Sequence, residues 1–272
     1  MKKLLLLSAF LMVSFVSKSQ NVTFEGEISY ENTVTSSKGM KKLFPSLLKD
    51  GTYDMLYVIK GQKRKIMDTY AGLIQYENRE RDIAYIYSPL LKKGYKYKLS
   101  DYENGLEEKY KTSGGKPARK TGEVKEIDGL KCYHYKGASD MTYDLLGAKM
   151  VVNYTSDYWV CPDFPKEYIG SICVEGLPVS FDEMQIAQFP LLGSQKQHQN
   201  VQMTEVKKRE VDNSELTPPS GVQFQISEDP VSSMMKLQKE ISKYMKKNNL
   251  TNTGVDIHHG KTENEILDDA WD

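Results

Sequence analysis

Apolar and polar residues alternate along much of the chain with the period of two that is typical of β-strands. The first such segment runs from Val22 to Tyr30. Further strands are predicted at Tyr53–Lys60, Lys63–Met67, Leu73–Tyr76, Ile83–Tyr87, Tyr95–Leu99, Gly122–Ile127, Lys131–Lys136, Lys149–Val160, Pro178–Phe189 and Val201–Val211. Short turn signals separate these segments, which favours an antiparallel meander over parallel strands joined by helices. The polar stretch from Asp101 to Gly122 predicts a long loop.

Two segments have helical spacing instead. In Gly39–Lys49 the apolar residues recur at helical intervals but Pro45 interrupts them, which predicts a short or irregular helix. The second helix is predicted to begin at Asp229-Pro230, an N-cap followed by a first-turn proline, and to end at Asn248-Asn249. Its predicted inner face consists of Val231, Met234, Met235, Gln238, Ile241, Tyr244 and Met245. Residues 251–272 are rich in acidic and poor in core-forming side chains, so we expect a flexible acidic tail.

Residues 1–19 have the layout of a bacterial export signal. Lys2 and Lys3 precede the apolar run Leu4–Val16, and Ser17-Lys18-Ser19 supplies a small-x-small cleavage site. The apolar run, about 13 residues long, is short for a membrane span. We therefore expect cleavage after Ser19 and a mature single β-rich domain over residues 20–250, without a transmembrane segment. The protein is expected in the periplasm of a Gram-negative cell, at its surface or outside it.

Composition adds an excess of tyrosine and a balanced charge. The chain has 18 tyrosines against 8 phenylalanines and 2 tryptophans. Tyrosine suits half-buried pleated surfaces, where its ring packs and its hydroxyl stays hydrated. The 37 basic and 37 acidic residues give a formal net charge of zero. Because this balance provides no strong positive field, we do not expect nucleic acid as a partner.

The sequence contains no pattern of residues that matches a known catalytic mechanism. It has no Gly-x-Ser-x-Gly elbow, phosphate-binding loop or His-Glu-x-x-His helix. His134 lies in a predicted strand between two tyrosines, where a histidine is usually structural or exposed. Several carboxylates follow His258-His259, but that segment offers no rigid support for a metal ion, and we interpret it as solvated. We therefore predict no catalytic residue, metal or cofactor, and no enzyme activity.

Three cysteines leave the disulfide pairing open. Cys161 and Cys173 flank a turn-rich segment that contains Pro162 and Pro165, and a bridge between them would staple this loop. A bridge between Cys132 and Cys161 is a second possibility, and buried free thiols are a third. Export makes any of these bridges chemically permissible.

Two segments near the C-terminus are candidates for binding. If the C-terminal helix packs incompletely against a curved sheet, its inner face would provide an adaptable apolar lining for a ligand; otherwise the same side chains simply form the core. This lining would consist of Met234, Met235, Ile241 and Met245. In the tail, Leu267 and Trp271 lie one helical turn apart and would suit docking on a partner protein, unless the end of the chain is disordered.

Four segments resemble those of a group of exported proteins of unknown function. The segments are Phe24–Tyr30, Tyr57–Arg64, Gly129–Tyr133 and Tyr158–Pro162. That group is regarded as related to the periplasmic lipoprotein-carrier (LolA/LppX-like) fold, and the resemblance runs from Val22 to Pro230. It implies an open, curved antiparallel half-barrel with helices on its concave side, and lipid or lipoprotein binding. It assigns no catalytic or ligand-binding residue.

Together these patterns predict a mainly β fold with some α, built as a curved antiparallel sheet (an open half-barrel) covered by one or two helices. The favoured function is non-enzymatic binding of an apolar ligand, lipid or lipoprotein-like, on that sheet. The alternative is an accessory subunit of an outer-membrane or secretion assembly that acts through protein–protein contacts. A deep pocket of charged groups would argue against the apolar-ligand hypothesis.

Overall fold

The computed structural model describes residues 24–43, 50–145, 148–165, 167–169, 172–174, 176–189, 193–251 and 253–257. The strands, in chain order, are β1 (Glu25–Ser36), β2 (Gly51–Lys60), β3 (Lys63–Asp68), β4 (Leu73–Asn78), β5 (Ile83–Ser88), β6 (Lys93–Tyr97), β7 (Arg119–Ile127), β8 (Leu130–Leu145), β9 (Ala148–Cys161), β10 (Glu167–Ile169), β11 (Ile172–Val174), β12 (Leu177–Phe189), β13 (Gly193–Lys208) and β14 (Gln223–Ile226). The helices are α1 (Lys38–Leu43), α2 (Leu99–Thr112) and α3 (Pro230–Asn248), and a 3₁₀ turn covers Arg79–Arg81. The predicted export signal, residues 1–19, lies outside the described residues.

Twelve strands of the described chain form one sheet, in the order β14-β6-β5-β4-β3-β2-β1-β13-β12-β9-β8-β7. Neighbouring strands are antiparallel except at one edge, where β14 runs parallel to β6. The sheet curves without closing into a barrel. The hairpin of β10 and β11 pairs separately from it. The predicted mainly β fold, with a curved, open antiparallel sheet and helices, is confirmed.

Helix α3 begins and ends where the sequence predicts. The Asp229 side chain accepts a hydrogen bond from the Ser232 backbone N–H at 3.0 Å, and Pro230 occupies the first turn. Asn249 ends the helix in the left-handed conformation, with φ of 53°. Leu237, Ile241 and Met245 pack on the sheet end formed by β4, β5 and β6. In the described part of the chain, no helix is both long and apolar enough to cross a membrane.

Helix α2 corrects the prediction of a long loop over residues 101–122, because the first half of that stretch is helical. Its start is fixed by a residue distant in sequence. The Asp82 carboxylate accepts hydrogen bonds from the Ser100 backbone N–H at 2.8 Å and from the Ser100 hydroxyl at 2.6 Å. Leu99 is buried and Tyr102 packs against Tyr97. The helix has few apolar residues, and its N-terminus is capped by a residue distant in sequence. For these two reasons the local sequence pattern predicted a polar loop instead of a helix.

The opposite face of β2–β5 is covered by the segment after β13 and by residues 253–257. Val211, Leu216 and Val255 pack there against the apolar side chains of the sheet. Val255 is only 3% exposed, and the Thr253 hydroxyl donates a hydrogen bond to the Thr69 carbonyl at 3.1 Å. The first residues of the predicted flexible tail are therefore packed chain, whereas residues 258–272 lie outside the described part of the protein.

Candidate ligand-binding site

A cavity of 230 Å³ lies on the helix-covered face of the sheet, between strands β1–β4 and β13 and the two longer helices. Its apolar lining consists of Met55, Ile66, Leu99, Val201 and Met234. Three tyrosines and three amides add polar groups: Tyr57, Tyr70, Tyr102, Asn32, Gln75 and Gln199. The charged lining groups are Arg64, Asp68, Glu77, Arg79 and Glu103. The lining is thus mixed rather than apolar, and its charged part was not predicted from the sequence.

Strand alternation and register decide which side chains reach this cavity. On β3 every second residue lines it, namely Arg64, Ile66 and Asp68. The antiparallel register then places Glu77 of β4 directly opposite Arg64, and Gln75 opposite Ile66. A shift of one residue in this pairing would turn the charged side chains to the other face.

Arg64 and Glu77 form a buried ion pair in the wall of the cavity. The Arg64 Nε and Nη2 groups donate hydrogen bonds to the two carboxylate oxygens of Glu77 at 2.6 and 2.9 Å. The side chains are only 9% and 1% exposed. Burial alone would raise the pKa of Glu77, but the charge and hydrogen bonds of Arg64 hold it below its ordinary value. Burial alone would likewise lower the pKa of Arg64, and Glu77 raises it instead.

Arg79 extends this pair to helix α2. Its Nη1 group donates a hydrogen bond to Glu103 Oε1 at 2.8 Å, and its Nη2 group lies 3.5 Å from Glu77 Oε2. The resulting ion network, Arg64–Glu77–Arg79–Glu103, links two strands and a helix across the cavity wall. Gln75 Nε2 adds a hydrogen bond to Glu77 Oε1 at 2.6 Å. These donors satisfy Glu77 and keep it ionised, which makes it poorly suited to exchange protons with a ligand.

Asp68 differs from the other charged lining groups because it has no cationic partner among the described residues. Its Oδ1 atom accepts a hydrogen bond from the Ala71 backbone N–H at 3.0 Å, which closes the turn between β3 and β4. Burial raises the pKa of Asp68, and the backbone N–H groups of Ala71 and Tyr70 oppose that rise only in part. The cavity wall therefore carries one carboxylate that no cationic side chain of the described residues pairs with.

The four residues predicted to line an apolar site occupy three different environments. Met234 lines the cavity. Its neighbour Met235 is turned about 100° further round the helix and is 52% exposed, so it does not contribute to the lining. Ile241 and Met245, which are 2% and 3% exposed, belong to the core between α3 and the sheet. Of the four, only Met234 is placed to contact a ligand in this cavity, and that contact stays a prediction.

The charged lining residues could have been suspected from their strand positions. Arg64 and Asp68 have the same parity as Ile66 in a strand with apolar residues on both faces. A charged residue at an inward position is unusual unless it is paired. The sequence does not show which residue pairs with Arg64, because Glu77 is identified as its partner only by the register of β3 and β4.

The cysteines with described side chains are buried free thiols. Cys132 and Cys161 are each 0% exposed. Burial raises the pKa of Cys132 to about 12, with a further contribution from Cys161, so the thiol is a poor nucleophile. The side chain of Cys173 is outside the described residues. Because Cys161 is a free thiol in this structure, neither the predicted Cys161–Cys173 bridge nor the alternative Cys132–Cys161 bridge is present.

His134 is a structural residue that ties three strands together. It is 5% exposed and stacks on Trp159, with ring centroids 4.7 Å apart. Its Nε2 atom lies 2.8 Å from Asp157 Oδ1 and its Nδ1 atom 3.0 Å from Thr121 Oγ1. These contacts join β7, β8 and β9, since each partner lies on a different strand. The geometry explains why a histidine is buried in this position without assigning it chemistry.

The remaining predicted features belong to the C-terminal end of the chain. His258-His259, Leu267 and Trp271 lie outside the described residues, so partner docking by the tail stays a prediction. In the described part, no group of three or more histidine, cysteine, aspartate or glutamate side chains is placed to hold a metal ion. In comparisons with known proteins, no family model matches the chain and no curated protein shows significant similarity to it.

Proposed function

We propose that this protein is an exported, non-enzymatic binding protein that holds a small lipid-like ligand in the cavity between the sheet and its two longer helices. The observation that carries the proposal is the cavity itself. It has a volume of 230 Å³ and combines an apolar wall with polar groups held in fixed positions. Such a combination is typical of ligand sites, in which apolar contacts give affinity and a few polar groups give orientation.

The apolar wall supports a ligand with a hydrocarbon body. Met55 and Ile66 come from neighbouring strands, and Met234 faces them from α3. Burying hydrocarbon against such a wall contributes about 25 cal/mol per Å² of apolar surface removed from water. Methionine adapts its unbranched side chain to different shapes, which suits a site that must accept a flexible chain.

The polar wall supports a ligand that also carries a polar end. Gln199 Nε2 donates a hydrogen bond to Asn32 Oδ1 at 3.3 Å; Gln199 is partly buried, Asn32 is buried, and both side chains line the cavity. Their remaining donors and acceptors are available to a ligand. The ion network of Arg64, Glu77, Arg79 and Glu103 is internally paired, so it gives the wall a rigid polar surface. The five charged lining groups count against the purely apolar ligand expected from the sequence, so we propose an amphiphilic ligand in its place.

Export is supported by the sequence of residues 1–19, which has a basic start, an apolar run and a small-residue cleavage site. An exported protein in the envelope of a bacterium meets amphiphilic molecules in quantity. Expression of the full chain with a reporter fused at its C-terminus tests this part of the proposal. We expect the purified product to begin at Gln20, as determined by mass spectrometry of its N-terminal peptide, and a product that still begins at Met1 would count against export.

Binding can be tested with N-phenyl-1-naphthylamine, an uncharged apolar fluorophore that brightens when it leaves water. We expect saturable binding to the mature protein, and at least about tenfold weaker binding to the Met234→Trp variant, because the indole would fill the cavity. Met235→Trp is the matched control, since it makes the same change at the next residue of the same helix but on an exposed side chain. Excitation above the absorption of tryptophan keeps the added indole from contributing signal.

Two results would count against the proposal. The first is the absence of saturable binding to the mature protein. The second is equal affinity of the wild type and Met234→Trp, which would place the fluorophore elsewhere on the surface. Mass spectrometry of organic extracts from the purified protein provides an independent readout, because a lipid-like ligand should be enriched in extracts of Met235→Trp over those of Met234→Trp.

A further inference from the structure

We infer that the cavity selects ligands whose polar end is a positively charged nitrogen, with the Asp68 carboxylate as its partner. This inference rests on the proposed binding function and names the chemical class of the ligand. It is carried by the charge balance of the lining, by the position of Asp68 and by the tyrosines that share the cavity with it.

The charge balance of the lining leaves one negative charge in excess. Its charged groups are two guanidiniums and three carboxylates. Arg64 pairs with Glu77, and Arg79 pairs with Glu103. Asp68 is the remaining carboxylate. A cationic ligand would neutralise the lining, whereas an anionic one would have to displace a carboxylate from an arginine or add a second uncompensated charge.

The position of Asp68 leaves it able to accept a further partner. Its carboxylate accepts the Ala71 backbone N–H at 3.0 Å and the Tyr70 backbone N–H, and a carboxylate has about four acceptor positions. In the low dielectric of the cavity wall an uncompensated carboxylate is unfavourable, which is why burial raises the pKa of Asp68. An ammonium group of a ligand would supply the missing counter-charge and hydrogen-bond donors.

The surroundings of Asp68 suit a cation attached to a hydrocarbon chain. Tyr70 and Tyr102 line the same cavity, and the faces of tyrosine rings attract cations, whereas the Tyr57 ring already has the Arg64 guanidinium over it at 5.9 Å. The edge-to-face contact of Tyr70 with Tyr53, at 4.8 Å between ring centroids, holds the Tyr70 ring in place. Met55 lies directly opposite Asp68 in the register of β2 and β3. An alkyl chain that starts at Asp68 would therefore meet an apolar wall next to the carboxylate.

The test compares three probes that share a ten-carbon chain: decylamine, which is cationic at neutral pH, decanoate, which is anionic, and 1-decanol. Each displaces N-phenyl-1-naphthylamine from the mature protein. We expect decylamine to compete at least about tenfold better than decanoate, with decanol between them, and tenfold corresponds to about 1.4 kcal/mol. In Asp68→Asn the preference for decylamine should disappear, while decanol should compete as in the wild type.

Asp68→Asn is suited to this test because asparagine keeps the oxygen that accepts the Ala71 N–H, so the turn between β3 and β4 is retained. Asp54→Asn is the control. It removes the same charge from the neighbouring strand, at an exposed residue that does not line the cavity, and should leave all three affinities unchanged. An equal loss of decylamine affinity in Asp54→Asn would show a general charge effect and would overturn the inference.

The outcomes separate this inference from the proposed function on which it depends. If the fluorophore and decanol bind but decylamine competes no better than decanoate, the charge selectivity is wrong and the binding function stands. If Asp68→Asn retains the preference for decylamine, another group provides the negative charge and the role of Asp68 is wrong. If neither the fluorophore nor any of the three probes binds, the proposed function and this inference fail together.

Discussion

Removing the charge of Glu77 should destabilise the fold strongly, because it leaves the Arg64 guanidinium buried without a counter-charge. Both side chains are nearly inaccessible, and Arg64 donates to both carboxylate oxygens at 2.6 and 2.9 Å. In Glu77→Gln an amide NH₂ replaces one of these oxygens. Since that oxygen accepts a hydrogen bond from Arg64, a donor would then face a donor at a site that water does not reach.

The magnitude follows from burial. Breaking a buried ion pair by removing one partner costs about 3–5 kcal/mol, whereas an exposed pair contributes about 0–1 kcal/mol. The ion pair between Lys93 and Glu240 is a matched control, since it has an N–O distance of 3.2 Å and a Lys93 side chain that is 66% exposed. We expect Glu77→Gln to lower the free energy of unfolding by about 3–5 kcal/mol and Glu240→Gln by less than about 1 kcal/mol.

Urea unfolding of the mature protein, followed by far-ultraviolet circular dichroism, measures both changes. The double variant Arg64→Met/Glu77→Leu adds a second test. Replacing a buried ion pair by apolar side chains is often neutral or stabilising, by about 1–4 kcal/mol, so the double variant should recover most of the loss. The reasoning would be refuted if Glu77→Gln cost no more than Glu240→Gln, or if the double variant were as unstable as the single one.

Three further predictions test other parts of the structure. The pKa of Glu77 is lower in the folded protein than its ordinary value of about 4.3. The ionised Glu77 should therefore contribute its full stabilisation above about pH 4.3, and this stabilisation should be lost as the pH falls through the folded-state pKa. The acid unfolding curves of the wild type and Glu77→Gln should thus converge at low pH. Asp82→Ala removes the hydrogen bonds at the start of α2 and should lower the free energy of unfolding, measured by urea unfolding, by about 1 kcal/mol. Asp82→Asn should lose less stability. Equal stability of the wild type and both variants would contradict the role of this contact. Truncation after Leu250 removes the buried Val255 and should lower the urea midpoint relative to truncation after Ile257. Equal midpoints of the two truncated proteins would contradict the packing of residues 253–257.

Much of the fold can be predicted from local patterns in the sequence. Strand alternation, the turns between strands and the N-cap of α3 each depend on residues within a few positions of one another. Helix α2 was missed because its start depends on Asp82, 18 residues before the Ser100 that it holds. The packed residues 253–257 were missed for the same reason, since Val255 belongs to a cluster with Leu56, Ile74 and Val211, which are distant in sequence.

The candidate site likewise depends partly on local sequence patterns and partly on tertiary contacts. The sequence by itself determined that the chain forms a mainly β fold with a C-terminal amphipathic helix, because hydrophobic periodicity reports which face of an element is buried. Only the tertiary structure decided that Arg64 meets Glu77, that Arg79 reaches Glu103 on α2, and that Asp68 has no cationic partner in the described chain. Ion pairing depends on the register of neighbouring strands and on the placement of a helix across them. The sequence shows that a charged residue lies at an inward-facing strand position. Whether that charge stabilises or destabilises the fold depends on which opposite charge the tertiary structure brings to within about 3 Å.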